Sequence, residues 1–312
     1  RYVEVTGDTM TGDLTVPSLN GGQLAGFRNQ IINGDTKIWQ RGTSGGSIGA
    51  GGAYTADHVF MGSGVAAWTR APSASFASGL EYGLRFSGDA NCYAVFPVEL
   101  LRAGHPNQFA NGTQWTVSYY ADRATDHTAG IYFSDTSQPT NKVDVLPTST
   151  PTSLGGNRYA ATFTVANAPV STNTCLCARI ANVTGSQIEI TGVQLEPGPV
   201  ATPFELRPVG TELALCQRYF QKYDRVRLFP GNTDAIPTYR FLEIPRPTYN
   251  SDLKTRRLDM WRPVLMRAAP TESTSSGSIT FGGNEYTFSG RATVTTTSNN
   301  SVIANYTADA EL

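Results

Sequence analysis

Residues 187–195 read QIEITGVQL, and the fold follows from how their apolar positions fall. Ile188 and Ile190 lie two apart on one face of an extended chain. Val193 and Leu195 are also two apart, but in the opposite phase, with Gly192 at the change. Side chains of a strand alternate every two residues, so a one-residue slip at a glycine is what a β-bulge produces. The same period of two recurs outward from this stretch. Trp115, Val117 and Tyr119 alternate with Thr116 and Ser118, and Ala161, Phe163 and Val165 alternate with Thr162 and Thr164. Short strands separated by Gly, Asn, Pro and Asp clusters predict an antiparallel β-sandwich or jelly roll. No helices alternate with these strands, which argues against a parallel α/β sheet.

Composition agrees with short strands and tight turns. Of the 312 residues 39% are hydrophobic and only 16% charged, with a formal net charge of −1. That is enough apolar material for real cores, and too little positive charge to release counterions from a phosphate backbone; nucleic acid is not expected as a partner. No apolar run approaches the roughly 20 residues needed to span a bilayer, so membrane insertion is not expected either. The chain begins at Arg1 rather than Met, and the start of the gene product is expected to lie upstream. Cys92, Cys175, Cys177 and Cys216 show no disulfide-scaffold spacing and read as reduced thiols.

Three stretches follow. Residues 1–27 carry two tiny β-prone runs, Tyr2–Thr6 and Leu14–Val16, punctuated by Gly7-Asp8 and Gly12-Asp13. Such a leader cannot bury a core alone, and it becomes stable by packing against copies of itself or a neighbour. Residues 28–205 carry the strand periodicity described above. Residues 206–312 differ: Thr211 offers a helix N-cap with Glu212 in the first turn, and Leu213, Cys216, Phe220 and Tyr223 recur along one helical face. Pro-rich extended segments follow, then a hairpin turn at Phe281-Gly-Gly-Asn-Glu285. From Val302 onward Ala304, Tyr306, Ala308, Ala310 and Leu312 alternate with polar residues, which predicts a paired strand.

Several of these runs resemble bacteriophage tail fibre proteins. The leader TGDTMTGDLTVP is similar to the GDTMTG-type segment that precedes their distal domain. FRNQIINGDTKIWQRGTS (27–44) and YTADHVF (54–60) resemble the opening of their jelly-roll module. GVQLEPGPVATPFELRPVGTELALCQRYFQKY (192–223) resembles its closing strand and following helix, and MRAAPT (266–271) and TADAEL (307–312) are also similar. His58 departs from the Arg that the family places after the Asp of this run. The resemblance implies a homotrimer on the virion, joined to other tail proteins and made in the bacterial cytoplasm, whose distal domains bind a host surface structure. In that compartment the sequons at Asn111, Asn182 and Asn305 carry no sugar.

The candidate sites weigh differently. Trp39, read as part of an alternating strand with Ile38 and Gln40, is better a core tryptophan beside Arg41 than a sugar platform. Asp57-His58 reads as a hydrogen-bonded structural pair rather than part of a triad, because no G-x-S-x-G elbow accompanies it. Cys175-x-Cys177 lacks the second pair that a structural zinc site needs, so no metal or other cofactor is expected. Glycoside hydrolysis needs two facing carboxylates; Asp122 with Asp126 is the nearest cluster, and no catalytic residues are assigned. Receptor binding is placed on Tyr239, Arg246, Tyr249, Asn250, Arg256, Arg257 and Trp261, where aromatic faces for sugar C–H surfaces interleave with hydrogen-bonding side chains in a loop-rich stretch. A core and salt-bridge role for these residues stays open.

The fold expected is therefore mainly β: an antiparallel β-sandwich (jelly roll) followed by a smaller α+β C-terminal domain, in a homotrimer. The function expected is attachment to a host surface glycan such as lipopolysaccharide, by a chain that is not an enzyme. A capsule or O-antigen depolymerase and a purely structural fibre segment are the alternatives.

Overall fold

A computed structural model describes residues 28–73, 75–99, 110–134, 142–143, 149–166, 175–228, 254–261, 271–274, 279–283, 287–294 and 302–309. The leader, 1–27, lies outside the described residues. In chain order the first thirteen strands described are β1 (Ser44–Gly45), β2 (Ala53–Tyr54), β3 (Phe60–Met61), β4 (Val65–Pro72), β5 (Tyr82–Gly88), β6 (Cys92–Glu99), β7 (Gln114–Ala121), β8 (His127–Ser134), β9 (Lys142–Val143), β10 (Thr152–Gly155), β11 (Arg158–Thr164), β12 (Cys175–Asn182) and β13 (Ile188–Pro197). They form a seven-stranded sheet, β1-β4-β5-β13-β7-β11-β10, and a six-stranded sheet, β2-β3-β6-β12-β8-β9. The chain changes sheet between β1 and β2, β3 and β4, β5 and β6, β6 and β7, β7 and β8, β9 and β10, β11 and β12, and β12 and β13. These switches make an antiparallel, jelly-roll-like sandwich.

Its core is the set that strand alternation selects. Trp115, Val117, Tyr119, Phe163, Ile188 and Ile190 of the larger sheet meet Phe96, Phe133, Leu176 and Ile180 of the smaller. The bulge is where the phase slip places it: Ile190 pairs with Ala121 and Thr191 with Tyr120, but Gln194 pairs with Ser118. Gly192 turns the corner at φ +59°, a left-handed conformation that a glycine adopts without a Cβ clash. Ile188, Ile190, Val193 and Leu195 consequently all lie in the one core. Alternation did not anticipate that the outer face of β7 and β13 is buried too, with Thr116, Ser118, Gln194 and Glu196 hidden from solvent.

What covers that face joins the two ends of the sandwich. Glu196 accepts from Arg28 Nε at 2.7 Å, Thr202 N at 2.8 Å and Gln194 Nε2 at 3.0 Å. Asn29 N donates to Glu205 Oε2 at 2.7 Å, and the Asn29 side chain bonds Val193 O and Leu195 N beside the bulge, each at 3.1 Å. Arg207 donates to the Ile31 carbonyl at 3.0 Å and to Glu212 at 3.3 Å, and Glu212 also accepts from Asn33 N. Gly34 sits so close to the bulge that a Cβ there would overlap the Val193 carbonyl oxygen. The opening run RNQIINGD (28–35) and the closing run GVQLEP…FELRP…E are thus one buried polar clamp. Asn182, one of the sequons, is buried and donates to Ser186 O.

The helix α1 (Val209–Gln217) is shorter than its periodicity predicts and starts earlier. Pro208, not Thr211, occupies the N-cap, without a side-chain cap bond, and Glu212 reaches Arg207 instead of serving the helix end alone. Phe220 and Tyr223, expected on its apolar face, belong to strand β14 (Phe220–Leu228). The reason is tertiary: Tyr219 buries itself on the outer face of the six-stranded sheet with Phe60, Val95, Tyr132, Cys175 and Cys177, and its hydroxyl reaches Glu99 at 3.1 Å. Phe220 then pairs with Asp309 and packs under Arg41 at 3.7 Å from the ring centre. A recurrence at i, i+3 and i+7 over so few residues does not separate helix from strand.

The remaining strands are β15 (Lys254–Trp261), β16 (Thr271–Thr274), β17 (Ile279–Gly283), β18 (Thr287–Val294) and β19 (Val302–Asp309). They form two antiparallel sheets, β14-β19-β16 and β15-β18-β17. The terminal alternation does belong to a strand, with Tyr306 opposite Tyr223 and Ala304 opposite Val226. The hairpin exists as well, with its reversal further along than expected: Phe281 is already paired with Gly290, and Gly283 with Phe288.

Candidate functional site

Of the residues expected to meet a receptor, Tyr239, Arg246, Tyr249 and Asn250 lie outside the described residues. Arg256, Arg257 and Trp261 all fall on β15, but alternation separates them. Arg257, Asp259 and Trp261 share one face, and Arg256 belongs to the other with Leu258 and Met260. Pairing with β18 extends both sets. Arg257 stands opposite Arg291, Asp259 opposite Ser289 and Trp261 opposite Thr287; Met260 stands opposite Phe288 and Arg256 opposite Ala292. Pairing with β17 adds Thr280 opposite Arg291, and adds Ile279 and Phe281 to the apolar set. One face of the sheet therefore carries Arg257, Arg291, Asp259 and Trp261 with a border of Ser and Thr, and the other carries Lys254 and Arg256 along with Leu258, Met260, Phe281 and Phe288. Arg291 was missed from the sequence because only strand register brings it to Arg257. An arginine at even spacing in a Thr-rich strand was its one visible signal.

The other candidates resolve into structure. Trp39 is not in a strand; it lies half-buried on the core, stacked on Trp68 with ring centres 6.1 Å apart. Asp57 is buried and accepts from the Gln40 backbone at 3.0 Å and from the Gln40 side chain. His58 stacks on Tyr219 with 4.0 Å between ring centres. Cys175 and Cys177 bring their sulfurs to 3.4 Å, and burial, followed by the Cys175 hydrogen bond, raises the Cys177 thiol well above its ordinary range. A thiol held protonated in this way is a poor nucleophile and a poor metal ligand. Among the described residues no group of three His, Cys, Asp or Glu is placed to hold a metal.

The carboxylates are engaged in holding strands together. Asp122 does not cluster with Asp126 alone; its Oδ1 accepts from Glu189 N at 2.9 Å. Glu189 is buried, and its Oε2 accepts from Arg85 at 2.9 and 3.1 Å. Burial raises the Glu189 carboxyl above the usual range, against the pull of Arg85. This pair bridges β5, β13 and β7, and its two members come from distant parts of the chain.

His127 is a histidine whose titration couples to stability. It is buried, its Nδ1 lies 2.7 Å from the Tyr119 hydroxyl and its Nε2 3.1 Å from the Arg123 carbonyl. Burial lowers its pKa below the ordinary value of 6.5, outweighing the opposing pull of the Arg123 carbonyl, Asp126 and Asp122. The unfolded chain then binds the proton first, so stability is complete above pH 6.5 and falls as pH drops toward the folded value. Melting temperatures measured between pH 7.5 and 5 are expected to fall with pH more steeply in the wild type than in His127→Phe. Equal slopes would contradict this.

No family model and no curated protein sequence matches the chain. Solved structures match it in shape at low similarity. The enzymatically active domain of tailspike protein 4 from bacteriophage CBA120 aligns over 55% of this chain and 22% of its own, at 15% identity and TM-score 0.32. TmCBM61 in complex with β-1,4-galactotriose aligns over 55% of this chain and 99% of its own, at 14% identity and TM-score 0.30. A family 30 carbohydrate binding module aligns over 59% and 92%, at 8% identity and TM-score 0.32. The chain spans less than a third of the tailspike domain's length. At such TM-scores the likeness carries nothing further.

Proposed function

We propose that this chain is the distal part of a bacteriophage tail fibre that attaches the virion to a host surface glycan, lipopolysaccharide being the leading class. The observation that supports it is the register of β15-β18-β17, which places Trp261 on one face with Arg257, Asp259 and Arg291 and opposite Thr287. An aromatic ring beside charged and hydroxyl groups suits a sugar, whose C–H surface stacks and whose hydroxyls accept and donate. The TGDTMTG leader and the clamped opening and closing runs are the features that resemble phage fibres. On this reading the protein is a homotrimer joined to other tail proteins of the virion, and it binds its glycan without cleaving it. Three shallow sites per fibre raise avidity by factors of about 10² or more without new contacts.

Trp261→Ala combined with Tyr249→Ala is expected to lower adsorption of the purified protein to host cells at least tenfold, with the oligomer unchanged in size-exclusion chromatography. Undiminished adsorption would remove this face from the reading. Reducing ends released from host polysaccharide would instead establish a depolymerase. Absence of adsorption by the wild type at high concentration would establish a structural segment.

A further inference from the structure

We infer that an exposed apolar row, Val200, Pro203, Leu206 and Val209, is the docking surface for the chain's own leader, residues 1–27, which it takes through Leu24 and Phe27. The inference does not depend on the glycan-binding reading. Residues 201–208, between β13 and the helix, form neither helix nor strand. Thr202 and Glu205 turn inward and are buried, and Pro208 ends the run with an extended backbone, φ −54° and ψ 137°. Val200, Pro203, Leu206 and Val209 are also three apart, out of phase with the buried pair, and all four are exposed. A period of three belongs to a polyproline-like chain, so these side chains follow one edge for about 28 Å, at roughly 3.1 Å per residue. Val200 is 52% exposed, Leu206 59% and Val209 57%, which makes them three of the five exposed large hydrophobic side chains among the described residues. Single exposed apolar residues are ordinary, but their gathering on one short edge marks a surface that something covers.

The charged groups interleaved with this row are engaged by the clamp: Glu205 accepts from Asn29 N, and Arg207 donates to the Ile31 carbonyl and to Glu212. What the row offers a partner is therefore apolar. The same clamp fixes where the leader meets it. Glu196 holds Arg28 Nε at 2.7 Å and Thr202 N at 2.8 Å, so Arg28 stands beside the Val200–Pro203 end of the row. Asn29 N, 2.7 Å from Glu205 Oε2, fixes the backbone as well. Phe27 comes two residues before that fixed point, a reach of about 8 Å. Leu24 precedes Phe27 by three residues, the spacing of the row itself, and Gly26 between them allows the chain to double back along it. A segment of 27 residues buries no core of its own and needs an apolar surface. Its tether at Arg28 holds it near this one at an effective concentration on the order of millimolar, well above that of a separate molecule.

The test is hydrogen exchange of the full chain, read by mass spectrometry. The amides of residues 23–27 are expected to exchange more slowly than those of a synthetic peptide of the same sequence, and equally so after dilution. In a chain carrying Leu206→Ser and Val209→Ser their protection should fall about tenfold or more, the scale set by lost burial of an aliphatic side chain, while the amides of β13 keep theirs. Leu24→Ser with Phe27→Ser leaves the clamp and both sheets of the sandwich unaltered, and should produce the same loss from the other side of the contact. Exchange at the peptide's rate in the wild type would overturn the inference. Protection that survives both pairs of substitutions would overturn it too. Protection that disappears on dilution would assign the row to a second copy of the chain, and the leader of the same chain would no longer be its occupant.

Discussion

Insertion of one alanine after Gly192 is expected to abolish the sandwich, leaving the protein insoluble and without a cooperative unfolding transition. The bulge at this residue is what lets Ile188 and Ile190 share a core with Val193 and Leu195. With a second extra residue there, everything beyond position 192 changes face. Val193 and Leu195 would leave the core, each losing about 1.5–3 kcal/mol of burial. Gln194 and Glu196 would enter it stripped of Thr202 and Arg28, and an unpaired buried carboxylate costs several kcal/mol more. The sum is comparable to the whole stability of a domain, about 5–15 kcal/mol. Gly192→Ala keeps the register and is expected to be milder, costing about 1–3 kcal/mol for a left-handed non-glycine residue; its Cβ would also crowd Leu80 at 2.7 Å. A soluble insertion variant melting like the wild type would refute the register.

Glu212→Ala is expected to destabilise the protein by about 3–5 kcal/mol, as removal of one partner from a buried ion pair typically does. Arg207 is 7% exposed and Glu212 5%, and Glu212 is also the acceptor for Asn33 N–H. Its loss leaves Arg207 bonded to the Ile31 and Asn29 carbonyls, with the Glu205 carboxylate at 3.8 Å. For a domain of this size each kcal/mol moves the melting temperature by about 2–4 °C, so a drop near 10 °C is expected in a thermal scan. Glu212→Gln keeps an acceptor and should lose less. A melting temperature within about 1 °C of the wild type would mean that the clamp does not hold the two ends of the sandwich.

The sandwich was legible in the sequence where one face of a strand is apolar and the other polar, as at Trp115–Ala121. The bulge was legible because a glycine stands at the phase change. The clamp was not derivable, because its members are polar residues that look like surface until residues 28–33 meet 193–212. Phe220 and Tyr223 were misassigned for a related reason. Their spacing fits a helix, but burial of Tyr219 and pairing with β19 decide their conformation. At the candidate site, composition pointed to Arg257 and Trp261, while register alone separates Arg256 from them and adds Arg291 and Asp259.

Alternation places Tyr306 and Ala304 on one face of β19, and register places Phe281 and Phe288 on one face of β17 and β18. The trimer proposed above covers such rows with neighbouring copies, and sedimentation equilibrium should then return three chains of 33.5 kDa each. A stable single chain at micromolar concentration would remove the trimer from the reading.

Attachment through a surface glycan is tested most directly by measuring how much labelled protein host cells retain before and after mild periodate oxidation, which cleaves sugar diols and spares protein. Retention should be lost after periodate and preserved after surface proteolysis. Retention that survives periodate and disappears with protease would contradict the account, because the receptor would then be a protein.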